Sequence, residues 1–127
     1  MHDVPQLFRE RQNNADWTEA FVITDYDAST NVRTPHDLTG AELKMLIKPA
    51  AGSAGPTLLL SSSSGGLVTI GSGAAQGDFT INVPAAQMWT LTADTYSADM
   101  LLFQNGTTKL VFTLTLEIAA GDTPPVP

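Results

Sequence analysis

From Trp17 onward, apolar and polar residues alternate along the chain, the pattern of strands that bury one face. Phe21 and Ile23 alternate with Ala20, Val22 and Thr24. Leu43, Met45 and Ile47 alternate with Glu42, Lys44 and Lys48, while Leu46 falls on the polar side. Pro49 closes that run because it has no N–H to give to a ladder. Phe79, Ile81 and Val83 share one face of the run from Asp78 to Val83, which Pro84 stops. In the last third, Leu110, Phe112, Leu114, Leu116 and Ile118 line one face; Val111, Thr113, Thr115 and Glu117 line the other. Asn105-Gly106 separates this run from Ala98–Gln104. An Asn-Gly pair between alternating runs predicts a tight hairpin, because both central residues of a type I′ turn need positive φ.

Between the runs lie turn signals at 25–31, 35–40, 61–66 and 71–77, rich in Gly, Ser, Asp and Asn. Short apolar runs at Thr57–Leu60 and Leu67–Ile70 complete the set. One helical turn is predicted near 84–91 (PAAQMWTL), with proline at its start and good helix formers after it. This gives about seven short strands at spacings of about ten residues, hence an all-β, antiparallel sandwich, with a small barrel as the alternative. Residues 1–17 stand apart. Val4, Leu7 and Phe8 fall at i, i+3 and i+4, behind Asp3 as a cap and Pro5 in the first turn. Gln12, Asn13 and Asn14 offer nothing to bury, so a short amphipathic helix and a disordered arm both stand open. The expected organisation is an N-terminal arm over 1–17, a β-sandwich domain over 18–120 and a proline-rich tail over 121–127.

Composition narrows the function classes. A chain of 127 residues and 13.4 kDa is one domain, large enough for a core without staples. Its net charge of −7 argues against an electrostatic nucleic-acid binder, which needs a cationic footprint. With no cysteine there is no disulfide, thiolate metal site or cysteine nucleophile. No apolar run approaches the roughly 18 residues of a membrane span. Met1–Gln12, with Arg9, Glu10 and Arg11, does not read as a signal peptide.

Candidate chemistry is sparse. His2 and His36 are the only imidazoles, and no G-x-S-x-G elbow is present. Gly71-Ser72-Gly73 with Gly77 precedes a strand rather than the helix a phosphate loop would open, so it reads as a turn. Asp25-Tyr-Asp27-Ala-Ser29-Thr-Asn31 begins like a calcium loop. Thr30 and His36 stand where the glycine and the bidentate glutamate would be needed, which favours a turn. Asn105-Gly106-Thr107 is a glycosylation sequon that the hairpin already explains. The acids are scattered, so no carboxylate pair suggests itself. No catalytic, metal-binding or cofactor-binding residue is therefore expected, and no enzyme. Trp17, Tyr26 and Trp89 are candidates for an aromatic ligand platform, weighed against ordinary core duty.

One series of features resembles a known family. Asp16-Trp17 opens a strand running to Thr24; Asp37-Leu38-Thr39-Gly40-Ala41 leads directly into the strand Glu42–Lys48. Gly77-Asp78-Phe79-Thr80-Ile81 precedes the helical stretch, and Tyr96-Ser-Ala-Asp99 follows it before the closing strand Lys109–Ile118. This order is similar to the immunoglobulin-like β-sandwich domain of tailed-phage and prophage tail and baseplate proteins, as at the N-terminus of upper baseplate proteins. That family carries a glycine before the tyrosine, where this chain has Thr95. The resemblance implies a non-enzymatic virion protein without a cofactor, made in the bacterial host cytoplasm and placed in the tail. The chain lacks the long fibre or receptor-binding region that often follows the domain, so the expectation is a connector or adaptor. Its partners would be further copies of itself, as a homo-oligomer, and other tail proteins, with no nucleic acid and no membrane. Val4, Leu7 and Phe8 would anchor the arm on a neighbour. The alternative is a binding module, either carbohydrate-recognising or a capsid decoration protein.

Overall fold

The computed structural model describes residues 5–50, 54–63, 66–71 and 77–125. His2 and Val4, Ser72 and Gly73, and the last two residues of the tail lie outside that set. The described residues are mostly strand, in largely antiparallel sheets, as the alternating pattern predicts. The larger sheet contains β1 (Gln6–Gln12), β5 (Glu42–Pro49), β6 (Leu58–Ser61), β9 (Asp94–Gln104) and β10 (Thr107–Ala119), in the order β1-β10-β9-β5-β6. The smaller sheet has β2 (Trp17–Val22), β7 (Val68–Ile70) and β8 (Asp78–Val83), in the order β2-β8-β7. A separate hairpin pairs β3 (Thr24–Asp27) with β4 (Val32–Pro35).

The two sheets share one core. Every second residue of β5, β8, the middle of β9 and β10 from Phe112 onward turns inward, among them Leu43, Ile47, Ile81, Met100 and Leu116. Phe21 of β2 stacks on Phe79 of β8 (centroids 5.2 Å apart) and on Phe112 of β10 (5.3 Å), which joins the sheets directly. Each such side chain removed from water contributes on the order of 1.5–3 kcal/mol before the cost of ordering the chain. The helical segment forms as α1 (Ala85–Met88). Pro84 offers no capping side chain, and the Asp16 carboxylate accepts the Ala85 N–H instead, at 2.7 Å. The Asn-Gly hairpin forms between β9 and β10, with φ of +52° at Asn105 and +76° at Gly106.

Several expectations are corrected. Residues 6–12 form neither a helix nor a loose arm. They are β1, paired in parallel with β10 from Gln6↔Thr113 to Gln12↔Ala119. This is the single parallel ladder among the described strands; the other pairs are antiparallel. The 25–31 stretch is the turn of a hairpin: its first three residues belong to β3, and β4 begins directly after it at Val32. These additions raise the count from about seven strands to ten among the described residues. Leu110 leaves the face assigned to it. A bulge between Leu110 and Phe112 breaks the register, so Leu110 sits opposite Leu101, outside the core, and is 42% exposed.

Candidate functional site

At one end of the two-sheet body, where β2 leads into the β3–β4 hairpin, the structure opens into a groove of about 860 Å³. Its floor is the Phe21–Phe79–Phe112 stack. Val22 and Leu110 stand on its walls with 62% and 42% of their surface exposed, and Leu7 of β1 lines it as well. The hairpin brings Asp25, Tyr26, Arg33 and His36 to the rim, and β10 adds Lys109.

The hairpin is held to the body by backbone contacts. The Ile23 N–H donates to the Gly77 carbonyl at 2.8 Å, and the His36 N–H donates to the Ile23 carbonyl at 2.9 Å. Gly77 has φ +72°, and a Cβ there would overlap the Ile23 carbonyl oxygen, so no larger residue fits. The turn itself is local. Asp27 Oδ1 accepts the Ser29 N–H at 2.9 Å and the Ser29 hydroxyl at 2.7 Å, which holds the carboxyl below its usual range. Asn31 takes the left-handed conformation at φ +56°. The calcium-like spacing is thus occupied by a turn that uses its own oxygens.

His36 ties the rim together. Its Nδ1 lies 2.9 Å from an Asp25 carboxylate oxygen, and its Nε2 lies 2.8 Å from Gln104 Oε1. The Gln104 amide nitrogen donates to the carbonyls of Asp37 and Thr39, at 2.8 and 3.0 Å, which turns its oxygen toward the imidazole. Both ring nitrogens therefore face acceptors, an arrangement that only the imidazolium satisfies in full. Burial works against that charge, and Lys109 opposes it further. The hydrogen bonds with Gln104 and Asp25, and the charge of Asp25, outweigh both and raise the His36 pKa.

A second polar centre lies between β1 and β2. Glu19 accepts from Arg9 Nε at 2.8 Å, from Arg11 Nη2 at 3.2 Å and from the Trp17 indole N–H at 3.1 Å. Arg9 Nη2 adds a contact of 2.7 Å. Burial pushes the Glu19 carboxyl up, but the hydrogen bonds from Arg9 and Trp17 and the two guanidinium charges prevail, so its pKa is lowered. At the far end of β1, Asn13 is buried. Its side chain donates to the Leu91 carbonyl at 3.0 Å and accepts the Gly121 N–H at 2.9 Å. Sequence reasoning gave Asn13 nothing to do, because both partners are remote in the chain.

The candidate aromatics do not form one platform. Trp17 is 1% exposed and belongs to the core. It pairs with Val83, at the end of the β2–β8 ladder opposite Val22, which borders the groove. Trp89 is exposed just after α1, which follows Val83. Tyr26 lies at the groove rim, half-buried, with the Arg33 guanidinium 5.0 Å from its ring centre and its hydroxyl 2.6 Å from Asn31 Oδ1. Of the arm residues, Leu7 packs on the core of its own chain and Phe8 is 49% exposed. No family model matches the chain, and no curated protein matches it.

Proposed function

We propose that this chain is a non-enzymatic structural component of a phage virion, a tail or baseplate connector or adaptor that acts through protein–protein contacts and folds as an immunoglobulin-like sandwich. The strand order supports the fold: a five-stranded sheet carrying the last hairpin faces a three-stranded sheet headed by β2. Tyr96, at 0% exposure near the start of β9, donates its hydroxyl to the Thr92 carbonyl at 2.8 Å, in the manner of a tyrosine corner. The Asp37–Ala41 turn supports the resemblance. Asp37 Oδ1 accepts the Thr39 N–H and hydroxyl, Leu38 is buried, and Gly40 turns at φ +74° into β5.

The observation that carries a contact function is the pair Leu46 and Leu59. They are register partners on β5 and β6, 46% and 56% exposed, at the open end of the larger sheet. β6 reads LLLS and carries no charge or proline to discourage pairing. Neighbouring subunits would cover such an edge. Light-scattering mass after size exclusion, at several concentrations, tests this reading. The expected result is a symmetric oligomer that Leu59→Lys converts to smaller species with little change in melting temperature. A monomer at every concentration, unaltered by Leu59→Lys, would overturn self-assembly and move the weight to a decoration or binding module.

A further inference from the structure

We propose that the groove at the hairpin end binds an anionic amphiphile, a small molecule with an apolar chain that ends in a carboxylate or a similar anion. This goes beyond the contact role, which uses the β5–β6 edge. The volume of about 860 Å³ lies within the range of small-molecule sites, which pair an apolar lining with a few convergent polar groups. Here the lining is the phenylalanine stack with Val22 and Leu110, and those last two remain open to solvent.

Charge selects the class of ligand. The chain has 6 Lys+Arg against 13 Asp+Glu, yet Arg33 and Lys109 both lie on this one groove. His36 stands beside them with acceptors at both ring nitrogens. Asp25 is the single acid of the lining among the described residues, and it is already engaged by His36. The rim is thus cationic in an otherwise acidic molecule, directly above an apolar floor. An anionic head at the rim and an apolar body along the floor satisfy both parts. A cationic or headless chain would satisfy only the second.

The test is a calorimetric titration of the full chain with dodecanoate and, separately, with dodecyltrimethylammonium, each below its micelle concentration. Backbone amide shifts followed by NMR locate the binding. The expected result is one saturable site for dodecanoate, about tenfold tighter than for the cation, with the shifts centred on Val22 and Leu110. Arg33→Gln with Lys109→Gln, both at the rim, should weaken dodecanoate about fivefold and leave the cation bound at least as tightly as before. Any of three results with the unsubstituted chain would overturn the proposal. These are no saturable binding, equal affinity for the two amphiphiles, and shifts centred on Leu46 and Leu59. An unaltered dodecanoate affinity in the double variant would do the same.

Discussion

Two polar centres fasten separate strands of this molecule to one another, and they are built in opposite senses. At the β1–β2 edge a carboxylate, Glu19, collects donors from Arg9, Arg11 and Trp17. At the groove rim an imidazole, His36, faces two acceptors, Asp25 and Gln104. The first centre is an anion held by cations, and the second is a base whose acceptors favour its protonated form. Each is a single hub, so its protonation state decides whether the surrounding groups stay satisfied. The Glu19 hub closes an edge where the sheets meet and secures the indole of a core tryptophan. The His36 hub secures a hairpin whose strands pair only with each other. The fold thus uses an acid-centred lock at its core edge and a base-centred lock at its rim.

The largest difference should appear on removing the charge of the first hub. Glu19→Gln keeps the shape but leaves two guanidinium groups with a neutral partner, at a cost of about 1–3 kcal/mol. Chemical denaturation at neutral pH measures it. The sign with pH follows from the lowered pKa. Stability from Glu19 is present above the ordinary glutamate value and is lost as pH falls through the lower folded value. The gap between wild type and Glu19→Gln should therefore be full at about pH 7 and shrink by about pH 3. A gap that stayed constant across that range would show that the carboxylate charge is not the source.

The second hub should give a smaller loss with the opposite pH dependence. His36→Gln is expected to cost under about 1 kcal/mol, because Asp25 is half open to water, which screens the pair. The His36 pKa is raised, so its contribution is present below the ordinary histidine value and is lost as pH rises through the higher folded value. The gap between wild type and His36→Gln should be larger at about pH 5.5 than at about pH 8.5. NMR titration of the His36 ring checks the direction independently. A midpoint at or below that of a free histidine would refute the doubly bonded arrangement.

Neither hub was legible in the sequence, although much of the frame was. The alternation in β5, β8 and β10 reports burial directly, because a strand with one wet face must alternate. Asn105-Gly106 reports the hairpin because few residue pairs accept its φ values. β1 was hidden because two of its inward positions are Arg9 and Arg11, which look like solvent residues until Glu19 is placed beside them. β3 and β4 were hidden because TDYD and VRTP do not alternate; the burial of both strands is mostly exposed. The bulge at Val111 cannot be read from a continuous alternating run. His36 meets Gln104 across 68 positions, so only the folded chain brings them together. The type of a tryptophan likewise does not tell Trp17 in the core from Trp89 in solvent.

The smallest expected effect divides the first hub. Arg9 and Arg11 both reach Glu19, but Arg9 makes the shorter contacts, 2.7 Å at Nη2 and 2.8 Å at Nε, against 3.2 Å for Arg11. A guanidinium with two nitrogens on one carboxylate is held in a fixed geometry, whereas a single longer contact is weakened more by water. Arg11→Gln should cost about 0.3 kcal/mol, and Arg9→Gln about two to three times as much. Arg11 also lies over the Trp17 ring, 5.9 Å from its centre, so the indole can report on its loss. Denaturation midpoints in low and high salt separate the two arginines. Salt should erase the Arg11 difference first, because a single, longer contact is screened more readily than a two-nitrogen one. Equal losses for both variants at every salt concentration would mean that Glu19 acts on the arginines only through net charge, and that the two-nitrogen geometry of Arg9 adds nothing to the lock.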